Sequence, residues 1–595
     1  MKYLIYVFVI PTLFAAFISC ESFLETKSKS TFIEDMSFDN VSFATYAVNG
    51  IYSHFTSSYS YANILLFAKA GSDIEWVPGA SDNARRDLAQ FRATANNTQI
   101  TSMWNSFYSA IEHANVCIDN LPKSPIWNKP EAKALYGEAI TLRAMCYYEL
   151  VTMFGDVPFH IVSTQANDNF FIPKTSRDEI FEYLVEDLKK VEDSVPWMTT
   201  TETRVTKGFV KGLRARIALT YAGFSLRNKT HETRRGRYWQ EYYKIANQEC
   251  HELVNAGVHK LNPDFKDIFL LLHAYQQDMA NKEILFEIGF GRMISGRISQ
   301  VIGMRFPTDP AHPKYGRAAA EIGVPMPYFY SFAHGDTRRE VSAEIYNYNG
   351  TNPLVQTLIG VGDFKPTKWR RSWLNPAMGG NMATVQYTGV NWPIMRYSDV
   401  LLMLAETELH VHNAVTDSAK TALAEVRRRA FPATMWTEQV DNYIAVKSAN
   451  VDDFFNAIVD ERAWEFGGEL IRKNDLVRWN LMGTKLNELN SRFETIVNGL
   501  DPNVPRYIYS RIAEDGETLD ILNPDYNHPA DGANLPGYTV KQWMANLTES
   551  NKTSALGYVN SIMGGYDRLK NNHLFPLTNS IISTSNGTLE NDQIP

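Results

Sequence analysis

Little in this chain of 595 residues points toward metal, nucleotide or nucleic-acid chemistry. It has four cysteines and no Cys-x-x-Cys, which supports neither a disulfide scaffold nor a zinc or dithiol motif. It has no basic excess: 58 Lys and Arg stand against 66 Asp and Glu, for a net charge of -8. The electrostatic footprint of a nucleic-acid binder is therefore missing, and nucleic acid is excluded as a partner. No His-Glu-x-x-His, no phosphate-cradling glycine loop and no Gly-x-Ser-x-Gly elbow occurs. The Gly289–Gly291 fragment lacks the strand-turn-helix context that such a loop needs. After the first twenty residues no stretch approaches membrane-spanning length. What the chain does have is aromatics, with 30 Tyr, 32 Phe and 12 Trp, or 12%. Its 44% hydrophobic and 21% charged residues are those of a globular protein.

The N-terminus carries Lys2 and then an apolar run from Tyr3 to Ile18, broken only by Thr12 and Pro11. That reads as a secretory signal over residues 1–19 and not as a retained anchor helix. Phe17-Ile18-Ser19-Cys20 resembles a bacterial lipobox, with Phe at the position where Leu is usual. Cleavage before Cys20 puts acyl chains on that residue, enough for stable attachment to a membrane. Cys117 and Cys146 fall in apolar helical patterns and read as small core residues. Residues 20–40, rich in Ser, Thr and Lys, read as a tether.

Helical periodicity dominates from 41 to 257. Trp104, Tyr108, Ile111, Asn115 and Ile118 share one face, and Leu135, Ala139, Leu142, Cys146 and Leu150 share another. The second pattern stops at Gly155-Asp156-Val157-Pro158. Ser176 and Glu179 have capping-box spacing, and helices are expected over Arg177 to Val195, Thr206 to Phe224 and Tyr242 to Asn255. Leu142-Arg143-Ala144 recurs as Leu213-Arg214-Ala215, which suggests helical-hairpin repeats. From 258 the texture changes. Glu283 to Phe290 is strand-like, 291–327 and 348–392 are long irregular stretches, and helices are expected again over Ile394–His410, Thr416–Ala430 and Val451–Phe466. Long loops inside a compact chain are usually functional.

Several blocks then resemble, in order, the SusD/RagB family of Bacteroidetes outer-membrane nutrient-binding lipoproteins. Cys20-Glu-Ser-Phe-Leu-Glu25 looks like the lipidated start. Trp104 through Asn115 is similar to "W..Y..I..AN", and Leu142 through Pro158 to "LRA..Y..L...FGDVP". Pro393 through Glu406 is similar to "P..RYADVLLMYAEA", with Ser398 where Ala is usual. Glu461 through Trp479 is similar to "ERR.E...EG.R..DL.RW", with Gly467-Gly468 altering the loop, and His573 through Leu577 resembles the closing "LFPIP". The resemblance implies a mostly α fold, in which tetratricopeptide-like helical hairpins over 41–257 support a loop-rich irregular half over 258–595. It implies a cell-surface lipoprotein of the outer membrane that binds oligosaccharides or polysaccharides and delivers them to a SusC-like TonB-dependent transporter. A RagB-type peptide or glycopeptide receptor is the alternative within the binding class, a glycan-active enzyme the alternative from another class, and a structural partner of the transporter without its own ligand a third.

The matched charged residues read as structure. Arg143 beside an apolar stripe calls for a buried acid or helix carbonyls. Arg396, Asp399 and Glu406 flank a stripe in the same way, and buried pairs speak for register more than for function. Glu461 and Glu465 share a helix face, the disposition a glycosidase could use. Neighbouring arginines lower a carboxyl pKa, however, the wrong direction for a general acid, so catalysis is not expected. His410 and His412 point to different faces, which argues against a metal pair. Arg427-Arg428-Arg429 reads as solvated surface or packing. No cofactor is implied. A structural calcium has only the acidic Asp515, Glu517, Asp520 and Asp525 to suggest it, an unspecific signal.

A sugar presents an apolar C–H face and a hydroxyl rim, so its site needs flat aromatics beside amide, carboxylate or guanidinium groups. Candidates are aromatics in irregular segments. Trp76, in Asp73-Ile-Glu-Trp-Val-Pro78, is the first platform expected, with Arg85 and Asn96 on the polar rim that follows. Tyr315 lies in the first long stretch, and Trp373 and Tyr387 lie in the second. Trp104, Trp464 and Trp479, on matched helices, are expected in the core.

Overall fold

The computed structural model describes residues 37–167, 169–198, 201–308, 315–350, 354–360, 362, 364–375, 387–522, 534–544 and 547–592. The signal segment, Cys20, most of the tether and Asp525 lie outside the described residues.

The chain is mostly α. Helices α1 (Val41–Phe55), α2 (Thr98–Asn120), α3 (Pro130–Phe154), α4 (Arg177–Val191), α5 (Lys207–Ala222) and α6 (Trp239–Ala256) each pack on the next. Local chemistry sets their ends. The Asn97 side chain accepts from Gln99 N at 3.0 Å to start α2, and Thr206 Oγ1 accepts from Phe209 N at 3.2 Å to start α5. Ser176 Oγ accepts from Glu179 N at 3.3 Å, one half of the expected capping box. Helix α3 stops where Gly155 takes a φ of +76°, and α6 stops where Gly257 takes +63°. The Leu-Arg-Ala repeat now has a geometric meaning. Arg143 on α3 and Arg214 on α5 reach α4 from its two sides, Arg143 to Asp187 at 2.7 Å and Arg214 Nε to the Val185 carbonyl at 2.8 Å.

Strand β1 (Ile284–Ile288) pairs antiparallel with β2 (Trp392–Arg396), which leads directly into α7 (Tyr397–His412). The helix expected from Ile394 therefore starts three residues later. Pro393 lacks the N–H of a helix interior and holds its predecessor extended, so the segment completes a strand pair instead. Helix α7 packs on α6, on α8 (Asp417–Ala430) and on α9 (Val451–Phe466). The main hydrophobic core crosses residue 257 without a break, from Leu142 and Phe209 to Leu285 and Leu402. A second core, around Trp76, Val324, Phe364, Phe493 and Trp543, lies under the irregular half. In the tail a three-stranded sheet forms around Tyr507–Ile512. Among the described residues no helix is long and apolar enough to cross a membrane.

Where α7, α8 and α9 meet, the core is ionic. Arg396, 1% exposed on its side chain, donates to Glu283 at 2.9 Å and to Glu465 and Glu469 at 2.8 Å. Arg427 reaches Glu461 at 2.9 Å, and Arg429 reaches Glu283 at 2.6 Å and pairs with Glu465. Arg427 and Arg429 are thus buried partners of the network, and only Arg428 faces solvent, where it pairs with Asp441. The triplet, read from the sequence as solvated surface or packing, divides between the two: Arg428 is solvated, and Arg427 and Arg429 are packed. Three successive residues point in three directions on a helix, and two of those directions meet acids of α9 and Glu283 just before β1.

Candidate functional site

The segment from Ser72 to Pro78 is built inward. Glu75, fully buried, accepts from Gly468 N at 2.9 Å and Leu470 N at 3.1 Å, and Ser72 Oγ donates to its other oxygen at 3.1 Å. Burial pushes its carboxyl up to about 7. Trp76 is fully buried too, with its ring 6.2 Å from Phe493. Its backbone forms an antiparallel bridge with Gly323, N to O at 3.0 Å one way and 2.9 Å the other. The expected platform is therefore a core residue. A stacking surface needs an open face, and the second core encloses this one. Gly323 favours this close contact, since a Cβ there would lie 3.0 Å from Trp76 Nε1 and 3.1 Å from the Phe364 carbonyl.

The loop beyond Trp76 is tied down at its start and end. Gln90 donates to the carbonyls of Val77 at 2.7 Å and Gly79 at 2.9 Å. Asp82 accepts from Ala84 N and Arg86 N, both at 3.0 Å, and opens the short helix Arg85–Ala89. Arg85 projects from that helix. Its guanidinium lies over Phe67, 5.3 Å from the ring centroid, and pairs with Glu321 at 2.6 Å. The Trp76–Gly323 bridge holds the segment that carries Glu321 in register with this loop. Asn96 is exposed, and its side-chain oxygen accepts from Asn579 at 2.8 Å, so it fastens the C-terminal turn.

Tyr387 is 40% exposed. The next residue, Thr388, is buried and fixes it in place. Thr388 N donates to the Gly296 carbonyl at 3.2 Å, and its own carbonyl accepts from Tyr275 Oη at 2.7 Å. On the other side of this junction, Arg297 N donates to the Ala62 carbonyl at 2.9 Å. The half-buried Arg297 guanidinium has Tyr387, Arg85, Glu321 and Arg317 as its electrostatic neighbours, and burial holds its pKa below the usual arginine value. The Gly291–Ser295 turn beside it closes with Ile294 N on the Gly291 carbonyl at 2.9 Å and exposes Met293 and Ile294. Gly389, at a φ of +70°, backs directly onto Arg292.

The structure thus brings two expected residues, Arg85 and Tyr387, into one face with Arg297, Arg317 and Glu321, which sequence reasoning missed. Their only signal was an unusual density of arginine in a long irregular stretch. Tyr315 lies one step away through a chain of contacts. Its carbonyl accepts from Arg371 at 3.3 Å, and Arg371 is a charge neighbour of Tyr275. Tyr315 itself is half-buried. It donates to Glu517 at 2.8 Å, and its ring lies 5.1 Å from Phe306 and 5.5 Å from Tyr348. Trp373 is half-buried, with the cations of Lys266 at 5.5 Å and Arg370 at 4.7 Å over its ring, so its π surface is engaged from within. Trp104 and Trp479 are buried as expected. Trp464 is half-buried and donates to Ser331 at 3.0 Å.

Flat aromatic surface, forked guanidinium donors and one carboxylate can hold hydroxyl or anionic groups of a ligand. The paired carboxylates of α9 lie elsewhere. Glu461 and Glu465 are both fully enclosed, and Arg338 reaches them at 2.7 and 3.3 Å. The surrounding arginines hold Glu465 well below the ordinary carboxyl range despite its burial. Glu192, Glu249 and Glu252 converge as metal ligands might, but Lys211 Nζ already stands among them at 3.1, 3.1 and 2.5 Å. In the tail, Asp515 closes a turn onto Glu517 N and Thr518 N, and Asp520 pairs with Arg511 at 2.7 Å.

Residues 328–587 match the family model described as the SusD family, and residues 22–219 match one described as starch-binding associating with outer membrane. Among curated proteins, SusD-like protein P25 from Formosa agariphila is 24% identical over 84% of this chain and 93% of its own length. Among solved structures, a SusD homolog from Bacteroides thetaiotaomicron is 23% identical, over 78% of this chain and 91% of that one, with a TM-score of 0.68. Surface glycan-binding protein A from Bacteroides thetaiotaomicron, solved in complex with laminarihexaose, is 18% identical. It covers 93% of this chain and 99% of its own, with a TM-score of 0.59.

Proposed function

Because the chain belongs to the SusD/RagB family, we propose that it is a lipid-anchored surface protein that captures glycan and passes it to a SusC-like TonB-dependent transporter in the outer membrane. Acylated Cys20 supplies the anchor, and the protein does no chemistry on its ligand. The observation that carries the reading is the face around Tyr387, an exposed ring that is a charge neighbour of Arg297, which in turn has Arg85 and Arg317 as neighbours. An aromatic face flanked by fixed hydrogen-bond donors is the chemistry a sugar ring calls for. The name of a structural relative solved with laminarihexaose supports the same ligand class.

One ring and a few donors give modest affinity once the entropy of association is subtracted. Anchoring beside a transporter offsets that weakness, because a ligand released locally is recaptured at high effective concentration. The placement of the acids supports binding without catalysis. The pair on α9 is locked in ion pairs, and among the described residues the face around Tyr387 has one carboxylate, Glu321, which is engaged by Arg85. A glycosidase needs two.

The test is affinity electrophoresis of soluble protein starting after Cys20 against a panel of polysaccharides, with a peptide pool beside it. Retardation by a glycan that is lost in Tyr387→Ala supports the reading. Retention of peptide with no glycan retarded replaces it with a RagB-type peptide receptor.

A further inference from the structure

The arginines of this chain follow a rule that the Tyr387 face breaks. In the fold, buried guanidiniums have hydrogen-bonding partners: Arg143 pairs with Asp187 and Arg462 with Asp475 at 2.7 Å, Arg472 with Asp73 at 2.8 Å, and Arg478 with Glu406, while Arg177 donates to Ser225 and Arg371 to the Tyr315 carbonyl. Arg297 has no such match. Its Nε is buried without a hydrogen-bond partner, and its side chain makes no hydrogen bond or ion pair to another described residue. Arg317, exposed, likewise has no ion pair among the described residues. Among the described residues, Arg297 therefore has two other guanidiniums and one carboxylate, Glu321, as charge neighbours, and Glu321 is already paired with Arg85. This local positive excess occurs on a chain whose net charge is -8.

Holding like charges together around a partly desolvated guanidinium is costly unless something neutralises them. A neutral sugar does not: its hydroxyls can be met as well by amides, without the repulsion. A carboxylate or sulfate does, because its oxygens accept the forked N–H pairs of arginine in charge-assisted bonds. The exposed Tyr387 ring and the Met293–Ile294 turn supply the apolar surface on which a pyranose can rest between its charged groups.

Resting on the glycan reading above, we propose that the ligand of this face is an anionic glycan, one that carries carboxylate or sulfate groups, held by Arg297 and Arg317 with its ring against Tyr387. Glu321 sets the ceiling of the positive charge and keeps Arg85 oriented until the ligand arrives.

The experiment is affinity electrophoresis and calorimetry on soluble protein starting after Cys20. The probes are a polyuronate, a sulfated galactan, two neutral glucans and polyglutamate. The expected result is retardation by the polyuronate, the sulfated galactan or both, which tells the two anion sources apart. It should vanish in about 1 M salt, where the Debye length is about 3 Å. Arg297→Gln and Arg317→Gln should each weaken binding by roughly tenfold or more, the range for a hydrogen bond to a charged group. Arg297→Lys should retain part of the affinity, and Glu321→Gln should strengthen binding of the anionic probe. A gain of that sign cannot come from a misfolded variant. Binding of a neutral glucan alone, insensitive to salt and to both arginine substitutions, would overturn the anionic proposal and leave the glycan reading standing. Polyglutamate held as tightly as any polysaccharide, or no glycan held at all, would overturn both.

Discussion

Trp76 and Tyr387 look alike in the sequence, each a large aromatic in an irregular segment, and the structure makes opposite predictions for them. Trp76 is fully enclosed and Tyr387 is 40% exposed. Trp76→Ala removes a buried ring from the second core, and such truncations cost about 3–5 kcal/mol. Unfolding entropy is about 2.1 cal/mol/K per residue, so a body of this size melting as one unit shifts by about 1 °C per kcal/mol. The expected fall is therefore about 3–5 °C in Tm. Affinity of the folded variant should change little, because the bridge to Gly323 is made by backbone atoms and survives the substitution. Tyr387→Ala does the reverse. Its open face offers on the order of 80 Å² to a ligand, which at about 25 cal/mol/Å² is about 2 kcal/mol, or roughly 30-fold in Kd. Its Tm should stay within about 1 °C, since Thr388 and not the ring holds the segment. Differential scanning fluorimetry and calorimetric titration of the two variants, side by side, decide the matter. A Trp76→Ala protein that melts like wild type but no longer binds would refute the assignment of Trp76 to the core. Unchanged affinity in Tyr387→Ala would remove the candidate face from consideration.

Three further outcomes follow from the packing. Arg396→Met should cost about 3–5 kcal/mol, because Glu283, Glu465 and Glu469 stay buried with fewer partners, and a Tm within about 1 °C of wild type would contradict the network. Glu75 titrates at about 7 in the fold against an ordinary 4.5, so the stability it contributes is complete below 4.5 and is lost as pH rises through 7, about 3 kcal/mol in all. Glu75→Gln stays neutral, so its melting point should gain on wild type between pH 5 and 8, and a constant difference across that range would show that Glu75 is not protonated by burial. Gly155→Ala should destabilise by about 1–3 kcal/mol, because the position has a φ of +76° and a Cβ there would meet the Asn228 side chain that caps Phe154, as a thermal melt would show.

The helical half was legible in the sequence because its determinants are local. Periodic apolar faces, Asn97, Ser176 and Thr206 at the caps, and Gly155 and Gly257 at the ends are all readable within one or two turns. The repeat of Leu-Arg-Ala was visible as well, although only the structure shows that Arg143 and Arg214 grip α4 from its two sides. Errors began where long-range pairing decided the outcome. The run from Ile394 has a helical pattern, but its first residues pair with Ile284–Ile288, and nothing near Pro393 announces that partner. Which of the three successive arginines would be packed is decided only when α9 brings Glu461 and Glu465, and the residue just before β1 brings Glu283, to Arg427 and Arg429.

The candidate site was the least legible part for the same reason, carried further. Whether an aromatic in a loop is a platform or a peg depends on what covers it, and the cover comes from far along the chain. Trp76 is hidden by Gly323, Phe364 and Phe493, whereas Tyr387 is left open because its neighbour Thr388 is pulled down onto Gly296 and Tyr275. Composition could say that some aromatics would face solvent, but it could not say which. The arginines carry a more general lesson. In this sequence Arg297 is one basic residue among 58, on a chain that is acidic overall. Only when the buried guanidiniums have been assigned their partners does the lack of one for the half-buried Arg297 become an observation. A binding site built from charges the fold leaves uncompensated therefore has no local signature in the chain, because the partners that satisfy the other arginines come from distant segments.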